Sequence, residues 1–378
     1  MSASDLPAFR IGVVGCGGIS SRHGRAGLES DKLQLVACCD IRESVAREWA
    51  ETYDCEAWYT DYEEMIRDQD LDGVVLATWP NQHREQVERC LNAGARNILS
   101  EKSLTADGQE ALELAKLVED AGAYLMEGFM YRHHPFVAEL ERQVAAGTIG
   151  QIDSVSSKFS TLDYEEESPD DPNRNWRRDP ERLGGSPWDI TCYAINAVNH
   201  FASMGAGGRG TGKGSNPDGT LGSDAKSLVA ARPTRVWSVG STSKVYGTLN
   251  RQFGLIEYDS GCVGYVEGSR QAHISEELHI AGREGRLLIR RAWRPHEQPV
   301  IEHQYGSGEW REIPVSGAEM YRLQMENFAD VAQGVAEPVM PLIQTVVNMY
   351  TIEATVTSQL EDRLVDPVLP ASLFEESA

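Results

Sequence analysis

Over the first 130 residues, short apolar runs alternate with longer stretches of helical period, and this alternation restricts the fold more than any other feature of the chain. FRIGVVG (9–15), LQLVACCD (33–40), GVVLAT (73–78), ARNILS (95–100) and AYLMEGFM (123–130) are the short runs. Ile19 to Glu29, NQHREQVERCLNAG and DGQEALELAKLVEDAG lie between them, the last two ending in a glycine suited to a C-cap. Strands that are apolar on both faces and separated by helices predict a parallel, doubly wound α/β sheet.

The first run leads into GVVGCGGIS, where Gly15, Gly17 and Ser20 fill a G-x-G-x-x-small pattern. Small residues are needed there because the backbone must turn tightly and approach a pyrophosphate, which the N–H groups and dipole of the next helix then stabilise. Asp40 follows about 25 residues later at the end of the second run, as a ribose-binding carboxylate should. A carboxylate there accepts hydrogen bonds from a ribose diol and repels a 2′-phosphate. NAD is therefore the expected cofactor, with Arg42 as the residue that admits NADP. A second glycine cluster, GAGGRGTGKGSNPDG (205–219), has Gly207, Gly212 and Lys213 at phosphate-loop spacing, but Gly214 stands where a magnesium-binding hydroxyl belongs. It also follows a helix instead of a strand, so it reads as a flexible insertion.

A chain of 378 residues, 41% hydrophobic, is long enough for two domains. A formal charge of −23 argues against nucleic-acid binding, which requires an excess of cationic side chains. No apolar stretch reaches membrane-spanning length and the start lacks a signal-peptide pattern, so the expectation is a cytoplasmic protein with no membrane partner. The seven cysteines show neither CxxC pairs nor zinc-ligand spacing, which predicts buried free thiols and no metal. Seven lysines against 28 arginines fit either a salt-adapted surface or genome composition, and they single out each lysine that is present.

After residue 130 the pattern changes. PFVAELERQVAAGTIG (135–150) reads as an amphipathic helix and QIDSVSSKFS (151–160) as a half-exposed strand, while 162–182 is polar and proline-broken, a long loop. Residues 234–314 hold several alternating strands, predicting one open, mostly antiparallel sheet, and two helices follow near 319–334 and 342–361. The division expected is a Rossmann domain over 1–128 and an α+β domain over 129–378, with the C-terminal helix packing back on the first. Ser186 and Pro187 suit the cap and first turn of a helix over 187–201. On it, Asp189, Tyr193 and Asn196 at i, i+4 and i+7 predict a polar stripe able to bind a polyhydroxylated ligand, against the alternative of a solvated face. His133 and His134 before Pro135 read first as capping or packing groups and second as catalytic ones.

IGVVGCGGIS, ATWPNQH, SEKSL, EGFMYRHHP, NWRRDPERLGG and WDITCYAIN, in that order, resemble the Gfo/Idh/MocA family, named for glucose-fructose oxidoreductase and inositol dehydrogenase, over nearly the whole chain. The resemblance implies a Rossmann domain joined to an α/β domain, an active site between them, and a homo-oligomer, dimer or tetramer, formed through the C-terminal sheet. It places Lys102 as a catalytic group at the end of the fifth strand, with Glu101 toward the cofactor, and maps the family's substrate helix onto Asp189, Tyr193 and Asn196. Gly15, Gly17, Gly18, Ile19, Asp40, Arg42, Thr78, Pro80, Asn81, His83, Trp176 and Arg177 are implied around the dinucleotide, and Arg132 as a further substrate contact.

The chemistry implied is hydride transfer from a sugar CH–OH carbon to nicotinamide, with Tyr193 as base, its pKa lowered by Lys102, and Asp189 holding Lys102. Three departures stand out: Ser103 replaces a proline, Thr191 a glycine, and Leu183 the first of three glycines. Tyr193 in place of histidine points to pyranose oxidation at the anomeric carbon. A cyclitol dehydrogenase or keto-sugar reductase is the alternative, as is a non-catalytic nucleotide sensor, which would have no use for a proton-transfer pair.

Overall fold

The computed structural model describes residues 6–162, 175–207 and 229–373. Six parallel strands form the first sheet: β1 (Phe9–Val14), β2 (Leu33–Cys39), β3 (Ala57–Tyr59), β4 (Gly73–Leu76), β5 (Asn97–Glu101) and β6 (Tyr124–Gly128). Their order is β3-β2-β1-β4-β5-β6, which reverses between β1 and β4. In an open parallel sheet, ligands bind above the carboxyl ends of the strands at that reversal. Helices α1 (Ser20–Leu28), α2 (Glu43–Tyr53), α3 (Tyr62–Asp68), α4 (Pro80–Ala93) and α5 (Gly108–Asp120) make the crossovers. Edge strand β3 is only three residues long and contains no alternation long enough to betray it in the sequence.

Local chemistry ends these elements where the sequence suggests. Pro80 opens α4, whose last turn closes on Gly94 at φ +113°, and the Asp107 carboxylate caps α5 by accepting the Glu110 N–H at 2.8 Å. Gly15, at φ +88°, turns the chain off β1 so closely to β4 that an added Cβ would lie 2.8 Å from the Ala77 carbonyl oxygen.

After α6 (Pro135–Ala145), strand β7 (Ile152–Leu162) enters a nine-stranded sheet, and α7 (Cys192–Gly205) packs against its inner face. The remaining strands are β8 (Pro233–Thr242), β9 (Leu249–Tyr258), β10 (Val263–Ser269), β11 (Gln271–Ser275), β12 (Leu278–Gly282), β13 (Gly285–Ile289), β14 (Val300–Tyr305) and β15 (Arg311–Pro314). The order is β15-β14-β13-β12-β7-β10-β9-β8, with β11 paired to β7. All neighbours are antiparallel except β7 and β10, so the sheet is mixed, with its one parallel pair at the centre.

Helices α8 (Met320–Ala332) and α9 (Leu342–Glu361) join the two sheets. Phe328 of α8 meets Phe9 edge-on at 5.7 Å and stacks on Tyr124 at 5.8 Å, both residues of the first sheet. Helix α9 lies on α5, where Gly108 leaves room for the Tyr350 ring and donates its N–H to Glu353 at 3.0 Å. Among the described residues no helix is long and apolar enough to cross a membrane, and no cluster of side chains could hold a metal ion. All seven cysteines are free thiols, six of them buried.

Candidate active site

A cavity of about 500 Å³ opens where the carboxyl ends of the first sheet face α7 and the central strands of the second. Gly17, Gly18, Ile19, Thr78 and Pro80 line one wall and Glu101 and Lys102 its floor, while Trp176, Arg177, Asp189 and Tyr193 come from the second domain. The cavity thus gathers most of the residues selected from sequence. A Cβ added to Gly17 or Gly18 would meet nothing within 4 Å, so the glycine turn leaves an open cradle before the first N–H groups of α1. This is the shape and polarity a dinucleotide diphosphate requires. Asp40 lies at the far end of the turn, where its Oδ2 accepts the Cys16 N–H at 3.1 Å and its Oδ1 the Arg42 N–H at 3.0 Å. The Arg42 guanidinium pairs with the same carboxylate at 3.4 Å and is otherwise exposed.

Lys102 stands at the centre. β5 delivers it to the cavity floor, and the peptide bond between it and Ser103 is cis. Its ammonium donates to the Asp189 carbonyl oxygen at 2.7 Å and to Asp189 Oδ1 at 3.2 Å. Ser103, in the position where the family pattern has proline, donates through Oγ to the Trp188 carbonyl at 3.1 Å, and so ties the same turn to the second domain. Behind it, buried His83 brings Nδ1 within 2.8 Å of the Ser103 carbonyl. His83 therefore braces the lysine turn from outside the cavity wall, and Asn81 is exposed on α4 beside it.

Asp189 is buried at 4% exposure, and its second oxygen accepts from Arg177 Nε at 2.9 Å and from Arg270 Nη1. Burial pushes the Asp189 carboxyl upward, but Arg177, Lys102 and Arg270 outweigh it and hold the group well below the usual carboxylate range. It stays ionised at any working pH. Nothing in the sequence around Arg270, which sits between β10 and β11, distinguishes it, and only the fold brings it across 81 positions to Asp189.

Tyr193 differs from expectation. The Lys102 ammonium lies 5.1 Å from the centroid of its ring, over the face, while the hydroxyl donates to Met130 Sδ at 3.3 Å. Phe129, Phe159 and Trp293 surround the ring at 5.4, 5.4 and 5.7 Å. Burial and the neighbouring Tyr321 phenol push its pKa well above the ordinary value, the reverse of the lowering predicted from a nearby ammonium. Desolvation wins because the charge faces the ring instead of the oxygen.

The helix carrying these groups also begins differently. Residues Pro187–Thr191 form a wide π-type turn before α7, and Ser186 caps nothing, its hydroxyl bonding Thr191 Oγ1 at 2.8 Å. Asp189 and Tyr193 both reach the cavity across this turn, but Asn196 does not follow them. Its Oδ1 accepts from the Tyr131 hydroxyl at 2.5 Å and from Arg132 at 3.5 Å. Arg132 further donates to His200 Nδ1 at 3.1 Å, and His200 Nε2 meets Glu141 at 2.7 Å, so these residues form a buried cluster under α7 away from the cavity. His134 caps α6 by accepting the Phe136 N–H at 3.1 Å, and neither it nor His133 lines the cavity. The Gly-rich segment around Gly212 and Lys213, and the first part of the 162–182 loop, lie outside the described residues.

Residues 9–129 match the oxidoreductase family with an NAD-binding Rossmann fold, and residues 141–368 match the C-terminal α/β domain of the same family. The chain belongs to the Gfo/Idh/MocA oxidoreductases and is an NAD(P)-dependent oxidoreductase. It is 27% identical to D-xylose 1-dehydrogenase (NADP(+)) 2 of Haloferax volcanii over 91% of this chain and 95% of that one. With trans-1,2-dihydrobenzene-1,2-diol dehydrogenase of Bos taurus it shares 26% identity, covering 82% and 81% of the two chains. Its fold is that of KijD10, a 3-ketoreductase from Actinomadura kijaniata solved with NADP, at a TM-score of 0.77 and 22% identity over 93% of this chain and 98% of that one.

Proposed function

We propose that this protein oxidises a hydroxyl of an aldopyranose, at the anomeric carbon, with Lys102 and Tyr193 at the reacting oxygen and Asp189 holding Lys102. One observation carries the reading: a lysine from the nucleotide-binding half is bonded to a buried carboxylate of the other half on the floor of the cavity between them. The xylose and dihydrodiol dehydrogenases to which the chain is similar act, by their names, on vicinally hydroxylated rings. Bound nicotinamide supplies the hydride acceptor. Gly15, Gly17, Gly18 and Ile19 would hold the diphosphate, with Thr78 and Pro80 beside them. Asp40 and Arg42 would bind the adenosine ribose, and Glu101, Trp176 and Arg177 the nicotinamide end.

The Lys102 ammonium beside the reacting oxygen stabilises the negative charge that develops as the proton leaves for solvent in the cavity. Tyr193 keeps its proton because burial raises its pKa, so on exchanging Met130 Sδ for the same oxygen it would serve as a hydrogen-bond donor. Oxidation therefore quickens as pH rises. The outer face of the large sheet, a groove of about 470 Å³ floored by Trp237, Leu255 and Tyr265, is the surface through which two copies associate. The protein works in the cytoplasm.

The test is a panel of D-xylose, D-glucose, myo-inositol and a keto-sugar with NAD and NADP, followed at the reduced nicotinamide absorbance. Turnover of an aldopyranose that Tyr193→Phe and Lys102→Met both abolish, with cofactor binding kept, is the expected result. A response to inositol alone, or parental turnover in both variants, would overturn it.

A further inference from the structure

Three cationic side chains share the two oxygens of Asp189. Lys102 takes Oδ1 and the main-chain carbonyl, while Arg177 and Arg270 both close on Oδ2. An ammonium has three N–H groups, and two of those on Lys102 are directed at Asp189. One remains for a ligand in the cavity. That distribution depends on what occupies Oδ2, because the terminal torsion of an aspartate is soft and its carboxylate can turn. With Oδ2 unheld, the carboxylate would present both oxygens to the lysine, and in a buried, low-dielectric setting the attraction between the two charges favours that closer embrace. The third N–H would then be lost to the substrate.

The two arginines hold Oδ2 from different kinds of support. Arg177 belongs to a short 3-10 turn, and its side chain is 36% exposed. Arg270 directly follows β10, whose residues pair on both sides with β7 and β9, and its own N–H donates to the Asn250 carbonyl at 2.9 Å. Its side chain is 11% exposed and forms part of the cavity wall. A guanidinium anchored at the end of a central strand is the more rigid of the two, since positions on the scaffold vary less than those on loops.

We propose that Arg270 is a positioning residue for the reaction. By holding Asp189 Oδ2 from the side opposite Lys102, it prevents the carboxylate from capturing the ammonium, and so keeps one N–H of Lys102 directed at the reacting oxygen. The inference rests on the reading of Lys102 given above. In this role Arg270 acts through Asp189, and the second sheet becomes a structural part of the proton-transfer site.

Arg270→Gln, Arg270→Lys and Lys102→Met are compared in the full-length protein, with the most active aldopyranose of the panel and its preferred cofactor. In Arg270→Gln, kcat should fall by about 30- to 100-fold, the scale of a displaced catalytic group. KM for the sugar and the cofactor dissociation constant, read from tryptophan quenching, should stay within about threefold, a split that uniform loss of binding would not produce. Arg270→Lys should recover most of kcat, because an ammonium again occupies Oδ2. Parental kcat in Arg270→Gln, a loss confined to KM, or no recovery with lysine would overturn the proposal. Should Arg270→Gln not fold by circular dichroism, Arg270→Lys decides alone: kcat nearer the parent supports the role, and kcat nearer Lys102→Met removes it. An inactive Lys102→Met beside an unaffected Arg270→Gln would reject this inference only, whereas a fully active Lys102→Met would reject the reading beneath it.

Discussion

Two buried polar clusters lie along α7, and both contain residues that the sequence offered as substrate contacts. At its start, Asp189 binds Lys102, Arg177 and Arg270 on the wall of a cavity, while one turn after Tyr193 the side chain of Asn196 joins Arg132, His200 and Glu141 in the protein interior. Both sets gather a carboxylate and an arginine among buried polar side chains. Their surroundings differ. The first cluster borders the cavity, and the second turns Arg132 toward His200, the Val339 carbonyl at 3.2 Å and Gln344 at 3.2 Å. A polar group becomes available to a ligand through what its neighbours leave unoccupied, and residue type alone does not tell the two cases apart.

Substitution of each cluster's cation sets them apart most sharply. Lys102→Met should lower kcat by about 10³-fold or more, the upper range for loss of a positioned proton-transfer group. Melting temperature should change little, because Asp189 retains two arginines. Arg132→Met should do the reverse. It leaves the buried acceptors of Asn196, His200 and Gln344 without this donor and should cost about 2–3 kcal/mol of stability, read from a denaturant midpoint, with kcat per folded molecule within about threefold. Equal loss of turnover in both variants would erase the distinction.

The first cluster was partly legible in the sequence because its members stand at fixed places in regular elements. Helical spacing puts Asp189 and Tyr193 on one face, whereas Lys102 is singled out by the scarcity of lysine and given its role by the resemblance to the family. Asn196 follows Tyr193 by three residues on regular α7, as the spacing expects, but its amide turns to Tyr131 and Arg132, a tertiary arrangement that helical spacing does not record. Arg270 was invisible for another reason. Its approach to Asp189 results from strand pairing in a mixed sheet, a long-range arrangement that no local pattern records. Orientation also escaped: the sequence could bring Lys102 near Tyr193, but could not show that the ammonium would face the ring and leave the hydroxyl to Met130.

Glu127, at the end of β6, sharpens the comparison at the boundary of the active cluster. Its Oε1 accepts the Leu104 N–H at 2.9 Å, two residues beyond Lys102, and burial pushes its carboxyl up to about 8. A folded-state pKa above the unfolded one means that the folded protein keeps a proton the unfolded chain has released. Stability from this group is complete below about pH 4 and is lost as pH rises toward 8. Glu127→Gln retains the acceptor and cannot ionise, so it should be more stable than the parent at pH 8, by about 4 kcal/mol, and indistinguishable near pH 4. A gap that stayed constant with pH would mean that the carboxyl does not titrate in this window.

The smallest effect concerns the glycine turn beside the cavity, where Asp40, 10% exposed, is paired with the mostly exposed Arg42. Each carboxylate oxygen already accepts a main-chain N–H, from Cys16 and from Arg42, and the guanidinium of Arg42 offsets part of its charge. An anionic side chain so engaged repels a 2′-phosphate less than a bare one, because the adjacent Arg42 cation offsets part of its Coulomb term. Asp40→Ser should therefore raise the ratio of NADP to NAD affinity by only about five- to tenfold, roughly 1 kcal/mol. The glycine turn should loosen at the same time, since the Cys16 N–H loses its partner, and both cofactors should bind somewhat more weakly. Titration of each cofactor by tryptophan quenching separates these effects: a changed ratio reports repulsion, and a common decrease reports the turn. If the ratio stayed fixed while both affinities fell, Asp40 would belong with the Arg132 cluster as a structural group, despite its place beside the cradle.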